Sequence, residues 1–148
     1  MGCCESEVEV KIKLIAGGKL PSYKRDGDAC LDCCARLDGD LTISPKTRRL
    51  VNLGFVLELP VGWEAVIRPR SGLTSIEIDN GIGTIDSNYR GEVKACVINA
   101  GNEYFTISNG DRICQMAVRR APKVKFIEVD ELSETNRGDN GFGSTGVK

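Results

Sequence analysis

Residues 7–14, Glu-Val-Glu-Val-Lys-Ile-Lys-Leu, alternate polar and apolar side chains. Successive side chains of an extended strand point to opposite faces. The pattern therefore predicts a half-buried β-strand with Val8, Val10, Ile12 and Leu14 inward. Short strand-like runs recur at 40–44, 50–59, 63–68, 92–99, 104–107, 112–119 and 124–129. Turn signals separate them: Pro60-Val-Gly62, Asn80-Gly81, Asn109-Gly110 and Ala121-Pro122. Residues 16–28, rich in Gly, Lys, Pro and Asp, read as a loop. The one plausible helix is a short piece after Ser71, and no internal repeat is visible. Many short strands punctuated by Gly and Pro predict an all-β barrel or sandwich.

A chain of 148 residues suits one domain. Its net charge of -1 gives no overall attraction to nucleic acid, so an anionic ligand would need local partners. No run approaches the length of a transmembrane helix, and no membrane association is expected. Met1-Gly-Cys-Cys-Glu-Ser6 formally fits an acylation pattern, with a mobile terminus as the plainer reading. The 7 cysteines are an odd number, and the polar, acidic N-terminus does not look like a secretory signal. Together these point to reduced thiols and a cytoplasmic location. Cys30-Leu-Asp-Cys33 has metal-binding spacing, but zinc would need a second ligand pair and the chain has no histidine. That absence also excludes Ser-His-Asp and Cys-His catalysis within the chain. A base must be a carboxylate, lysine, tyrosine or thiolate.

Certain blocks carry polar groups suited to chemistry. Asp28-Ala-Cys-Leu-Asp32 could hold a hydrated cation or form a turn. Pro69-Arg-Ser-Gly-Leu73 ends a strand and can offer a guanidinium, a hydroxyl and backbone donors to phosphate, or be a solvated surface turn. In Gly83-Thr-Ile-Asp-Ser-Asn-Tyr-Arg-Gly91, Asp86 can be a general base or a turn residue bonding its own backbone. Tyr89 can be a stacking surface or strand filling. Gly110-Asp-Arg-Ile-Cys-Gln115 is a further polar block. Composition changes after about Asn136. Residues 137–148 are glycine-rich with Phe142 as their only aromatic, and cannot build a core. They form a disordered tail or a flexible arm able to wrap an anion.

In order and combination these blocks resemble the motifs of the trimeric dUTP pyrophosphatases, from about residue 8 to the C-terminus. The resemblance implies a small jelly-roll-like distorted barrel of the β-clip type over residues 1–136. Residues 137–148 would be a flexible arm closing over an active site. It implies Mg2+-assisted hydrolysis of dUTP to dUMP and pyrophosphate, which limits uracil in DNA and supplies dUMP for dTMP synthesis. The enzyme would be a homotrimer with shared active sites. Asp86 would activate the water that attacks the α-phosphorus in line, and Asp32 would hold Mg2+ through water. Arg70, Ser71, Gly72 and Gln115 would grip phosphates, with Arg70 and Gln115 stabilising developing charge. Asn80, with the backbone of an 80–85 hairpin including Gly83 and Ile85, would read the uracil edge. Tyr89 would pack under the deoxyribose. Phe142 would stack on the base, while Arg137, Gly143, Ser144 and Thr145 close over the nucleotide.

The family pattern usually has Gly at Cys30, Leu at Cys33, a second Asp at Asn88 and Ala at Cys114. Cys30 questions the local backbone angle, since Gly reaches positive φ without penalty. The related dCTP deaminases carry a catalytic glutamate where this chain has Cys96, and a thiol cannot replace that carboxylate. A non-catalytic module using nucleotide as a switch is the other alternative.

Overall fold

A computed structural model describes residues 7–146. The strands are β1 (Lys11–Leu14), β2 (Leu31–Cys34), β3 (Leu41–Ile43), β4 (Thr47–Asn52), β5 (Phe55–Glu58) and β6 (Trp63–Arg68). One turn of helix, α1 (Ser71–Thr74), precedes β7 (Ile78–Asn80), β8 (Gly83–Ile85), β9 (Lys94–Asn99), β10 (Phe105–Ile107) and β11 (Arg112–Arg120). All pairing is antiparallel. A four-stranded sheet runs β2-β11-β6-β8 and a three-stranded sheet β4-β9-β7, with the ribbons β1-β5 and β10-β3 beside them. The expected all-β, distorted jelly-roll architecture is what the chain adopts.

The strands' inward faces meet in one apolar cluster. Phe55, Ile43, Leu53, Ile67, Ile107 and Val97 are fully buried, each contributing roughly 1.5–3 kcal/mol of transfer free energy. Buried Asn99 ties strands to turn: its Nδ2 donates to the carbonyls of Ile43 (3.0 Å) and Glu103 (2.7 Å), and its Oδ1 accepts the Gly101 N–H (3.0 Å). Cys33 and Cys114 face each other across β2 and β11, fully buried. A small residue at the usual Leu position and a larger one at the usual Ala position offset each other in volume. Cys114 and burial push the Cys33 thiol well above its ordinary value, as expected of an inert core residue.

Several local expectations are corrected. The first strand covers only residues 11–14, and Leu14 is 43% exposed rather than inward. The 50–59 run breaks at Gly54 (φ 80°), where the chain turns from β4 to β5 against Gly18. A Cβ on Gly18 would lie 2.0 Å from the Gly54 oxygen, so the backbones approach too closely for a side chain. Strand β2 begins at the end of the first polar block and runs on to Cys34, where charge and cysteines hid its alternation. Residues 80–85 are not a hairpin: β7 pairs with β9, whereas β8 pairs with β6. The segment crosses between sheets. Residues 124–129 form no strand, and no strand among the described residues pairs with them. Phe126 is 92% exposed. The acylation pattern lies outside the described residues.

Candidate active site

The phosphate-type residues converge at one end of the four-stranded sheet. Gln115 on β11 pairs with Asp32 on β2 and with Arg68 on β6. Just beyond Arg68, the Pro69 carbonyl accepts from Gln115 Nε2 at 2.8 Å. Arg70 caps α1, so Ser71 and Gly72 stand exposed on its first turn. Arg70 Nε lies 3.3 Å from Asp32 Oδ1, and its Nη1 donates to the Arg112 carbonyl at 2.7 Å. Arg112 Nη1 lies 3.3 Å from Asp32 Oδ2. Asp32 thus sits between two guanidiniums. Arg70 and Arg112 line a cavity of about 310 Å³ with Gly110, Asp111 and Leu73.

This cluster can bind an anion with two planar, forked donors. Arg112 received no role from the sequence. Its place at the start of a strand paired with Asp32's strand is the signal that would have found it. Asp28 separates from the cluster: its carboxylate accepts the Arg25 N–H at 2.9 Å, closing a turn. Cys30 has no positive φ, so replacing the usual glycine leaves the backbone unstrained.

Asp86 directly follows β8, at the opposite end of the sheet. The Tyr89 N–H donates to the Asp86 carbonyl at 3.1 Å, so the turn is closed by backbone. Among the described residues the Asp86 carboxylate accepts no hydrogen bond, and the residue is exposed. It is therefore not occupied as a turn-capping side chain. Gly83, Ile85, Asp86 and Tyr89 line one cavity of about 260 Å³ with Thr84, Glu92 and Lys94. Tyr89 Oη donates to the Glu92 carbonyl at 3.1 Å. Its ring lies across Gly91, where a Cβ would meet Oη at 2.3 Å. Asn80 is buried at the end of β7, with Nδ2 donating to the Gly81 carbonyl (3.1 Å) and the Gly81 N–H donating to the Cys96 carbonyl (3.0 Å).

One chain does not bring Asp86 to Arg70. Ile85 pairs with Ala65, placing Asp86 beside Glu64, whereas Gln115 pairs with Arg68. Those positions are roughly 13 Å apart along β6, with Arg70 beyond. The tail stays apart as well. Arg137 Nε donates to the Asn140 carbonyl (2.9 Å), and the Ser144 N–H donates to the Gly141 carbonyl (3.0 Å). Arg137, Phe142, Gly143, Ser144 and Thr145 line a separate cavity of about 320 Å³, and the Phe142 ring is fully exposed.

Among the described residues no group of three or more His, Cys, Asp or Glu is arranged to hold a metal. Asp32 offers hard oxygen donors beside an anion-binding cluster. That suits a hydrated magnesium carried in on phosphate, not one caged by protein. No helix among the described residues is long and apolar enough to cross a membrane.

The dUTPase family model matches residues 16–146. Deoxyuridine 5'-triphosphate nucleotidohydrolase of Finegoldia magna is 45% identical, spanning 93% of this chain and 99% of its own length. The protein of that name from Caldanaerobacter subterraneus is 47% identical over 95% of this chain and 99% of its own length. Among solved structures, the Staphylococcus bacteriophage 80alpha dUTPase with dUpNHpp superposes with a TM-score of 0.84 at 22% identity, covering 94% and 99% of the two chains. The fold, the ordered polar blocks and identity over nearly the full length converge: this chain belongs to the dUTPase family.

Proposed function

We propose that this protein hydrolyses dUTP to dUMP and pyrophosphate, with Asp86 as the general base. The observation that carries the assignment is the free Asp86 carboxylate at the lip of a cavity shared with Tyr89. Position decides the use of this carboxylate. It accepts a proton from water as that water attacks the α-phosphorus in line, a contribution of about 10²–10⁴ in rate. Asn80 and the backbone at Gly83 and Ile85 read uracil, and Tyr89 lies under the deoxyribose. Arg70, Ser71, Gly72 and Gln115 hold the phosphates and meet the charge that develops on them.

Asp32 would hold Mg2+ through water. When bound, the ion would supply charge neutralisation on the triphosphate. Arg70 and Arg112 turn from the Asp32 carboxylate to phosphate when substrate arrives. The arm, residues 137–148, closes over the nucleotide, stacking Phe142 on the base with Arg137, Gly143, Ser144 and Thr145 around the phosphates. Closure excludes water and completes the site.

The separation of Asp86 from Arg70 within one chain supports a site shared between subunits of a homotrimer. So do the exposed apolar side chains of Phe126, Ile127 and Leu132, which suit burial against another copy. The reaction limits uracil in DNA and supplies dUMP for dTMP synthesis, a cytoplasmic role needing neither membrane nor nucleic-acid binding. No observation favours dCTP deamination, since Cys96 offers a thiol where that chemistry needs a carboxylate. The test is pyrophosphate release from dUTP with Mg2+, with dTTP, UTP and dCTP as controls. Release from dUTP alone is expected, and none above background would refute the proposal.

A further inference from the structure

Glu92 follows the Asp86–Tyr89 turn, and no role has been assigned to its side chain. That side chain is 16% exposed and meets Arg36, 22% exposed, in a two-pronged pair. Arg36 Nε donates to Oε1 at 2.8 Å and Nη2 to Oε2 at 3.0 Å. Oε1 also accepts the Gly54 N–H at 3.1 Å. The Arg36 stem lies on Gly54, where a Cβ would sit 3.1 Å from Cδ and 3.2 Å from the Arg36 Cβ. The Arg36 N–H donates to the Asn52 carbonyl at 2.8 Å, and the Val93 N–H to the Phe55 carbonyl at 2.9 Å. The Glu92 peptide is therefore fixed from both sides to the β4–β5 corner. Its carbonyl is the one that accepts the Tyr89 hydroxyl, at 3.1 Å.

We propose that the Arg36–Glu92 pair is a positioning device that sets the tilt of the Tyr89 ring, and through it discrimination between deoxyribose and ribose. The sugar half of the inference rests on the reading above that Tyr89 lies under the deoxyribose. A forked guanidinium–carboxylate pair fixes orientation as well as distance, which a point charge does not. With Gly91 beneath the ring and the Glu92 carbonyl at its hydroxyl, Tyr89 has little freedom to swing away from a 2′-hydroxyl. The carboxylate of Glu92 is spent on Arg36 and the Gly54 N–H, so the pair acts through Tyr89.

The test measures kcat/KM for dUTP and UTP with Glu92→Gln, Arg36→Lys, Tyr89→Phe and the Glu92→Gln/Tyr89→Phe double variant. Thermal midpoints identify any variant that fails to fold, and Arg36→Lys is the conservative second route. Glu92→Gln and Arg36→Lys should each lower the dUTP-over-UTP preference by about 10-fold. On the Tyr89→Phe background, Glu92→Gln should lower it no further. An unchanged preference in both single variants, or additive effects in the double variant, overturns the proposal. The Tyr89 ring-flip rate by NMR separates this inference from the sugar reading. Faster flipping in Glu92→Gln is expected, and an unchanged rate refutes positioning whatever the activity. A wild-type enzyme that hydrolyses UTP as fast as dUTP would refute the sugar reading alone.

Discussion

The two ends of the four-stranded sheet carry the same kind of cargo in opposite states. At one end Asp32, Arg70, Arg112 and Gln115 satisfy one another through ion pairs and backbone carbonyls. At the other, Asp86 stands exposed with no side-chain hydrogen-bond partner among the described residues, and the one side-chain hydrogen bond of Tyr89 runs from its hydroxyl to the Glu92 carbonyl. The difference separates binding from chemistry. A guanidinium cluster can rest on its own carboxylate until phosphate displaces it. A general base must keep its lone pairs free for water. The tail combines the two states: Arg137 is spent on the Asn140 carbonyl, while the Phe142 ring stands fully exposed.

The largest expected effect breaks the free end. Asp86→Asn should bind dUTP almost normally and lose turnover by about two to four orders of magnitude, seen by separating kcat from nucleotide affinity. Unchanged turnover would move the base elsewhere. Deleting residues 137–148 comes next. The thermal midpoint should hold, since these residues add nothing to the core, while kcat/KM falls by about 10² through loss of closure. An active truncation would leave the arm without a role.

Arg112→Ala sharpens the comparison from the satisfied end. It should weaken dUTP binding by about 10-fold or more with kcat little changed, the loss of one charge-assisted contact. A fall in kcat alone would place Arg112 with the chemistry. The smallest effect is on stability. Arg36, with help from Gly54 and Lys94, holds the Glu92 carboxyl below its ordinary value. A lowered native value means the stabilisation is complete above the unfolded value of about 4.3 and lost as pH falls through the native one. The gap in thermal midpoint between wild type and Glu92→Gln should therefore be present at neutral pH and shrink in acid. A gap independent of pH would show that the charge is not its source.

Which parts of this were legible in the sequence follows from how far each feature depends on distant chain. Alternation in β1 and the apolar runs of β6, β9 and β11 are local, and they emerged with boundaries shifted by a few residues. The break at Gly54 was hidden because it answers to Gly18, a segment far away in sequence. The crossover of residues 80–85 was mistaken for a hairpin because Asn-Gly is a turn signal whichever strands it joins. The 124–129 segment reads as a strand because its residues would suit one, yet the described residues supply no partner edge. In the site, Arg70, Gln115 and Asp32 were named together only through the family resemblance, since each polar block alone also fitted a turn or a solvated surface. Arg112, in the same block as Gln115, and Glu92, between the Asp86 turn and β9, were passed over because their partners Asp32 and Arg36 lie far away in sequence.

The central claim is that Asp86 from one subunit serves the Arg70 cluster of another. Mixing tests it most directly. Asp86→Asn and Arg70→Ala proteins, each inactive alone, are unfolded together in equal amounts, refolded and assayed for pyrophosphate release from dUTP. Random reassembly of a shared-site trimer should restore about a quarter of wild-type activity, since each site then draws an intact Arg70 and an intact Asp86 from different subunits. Activity that stays at the level of the two separate variants would contradict the claim and put the whole site within one chain.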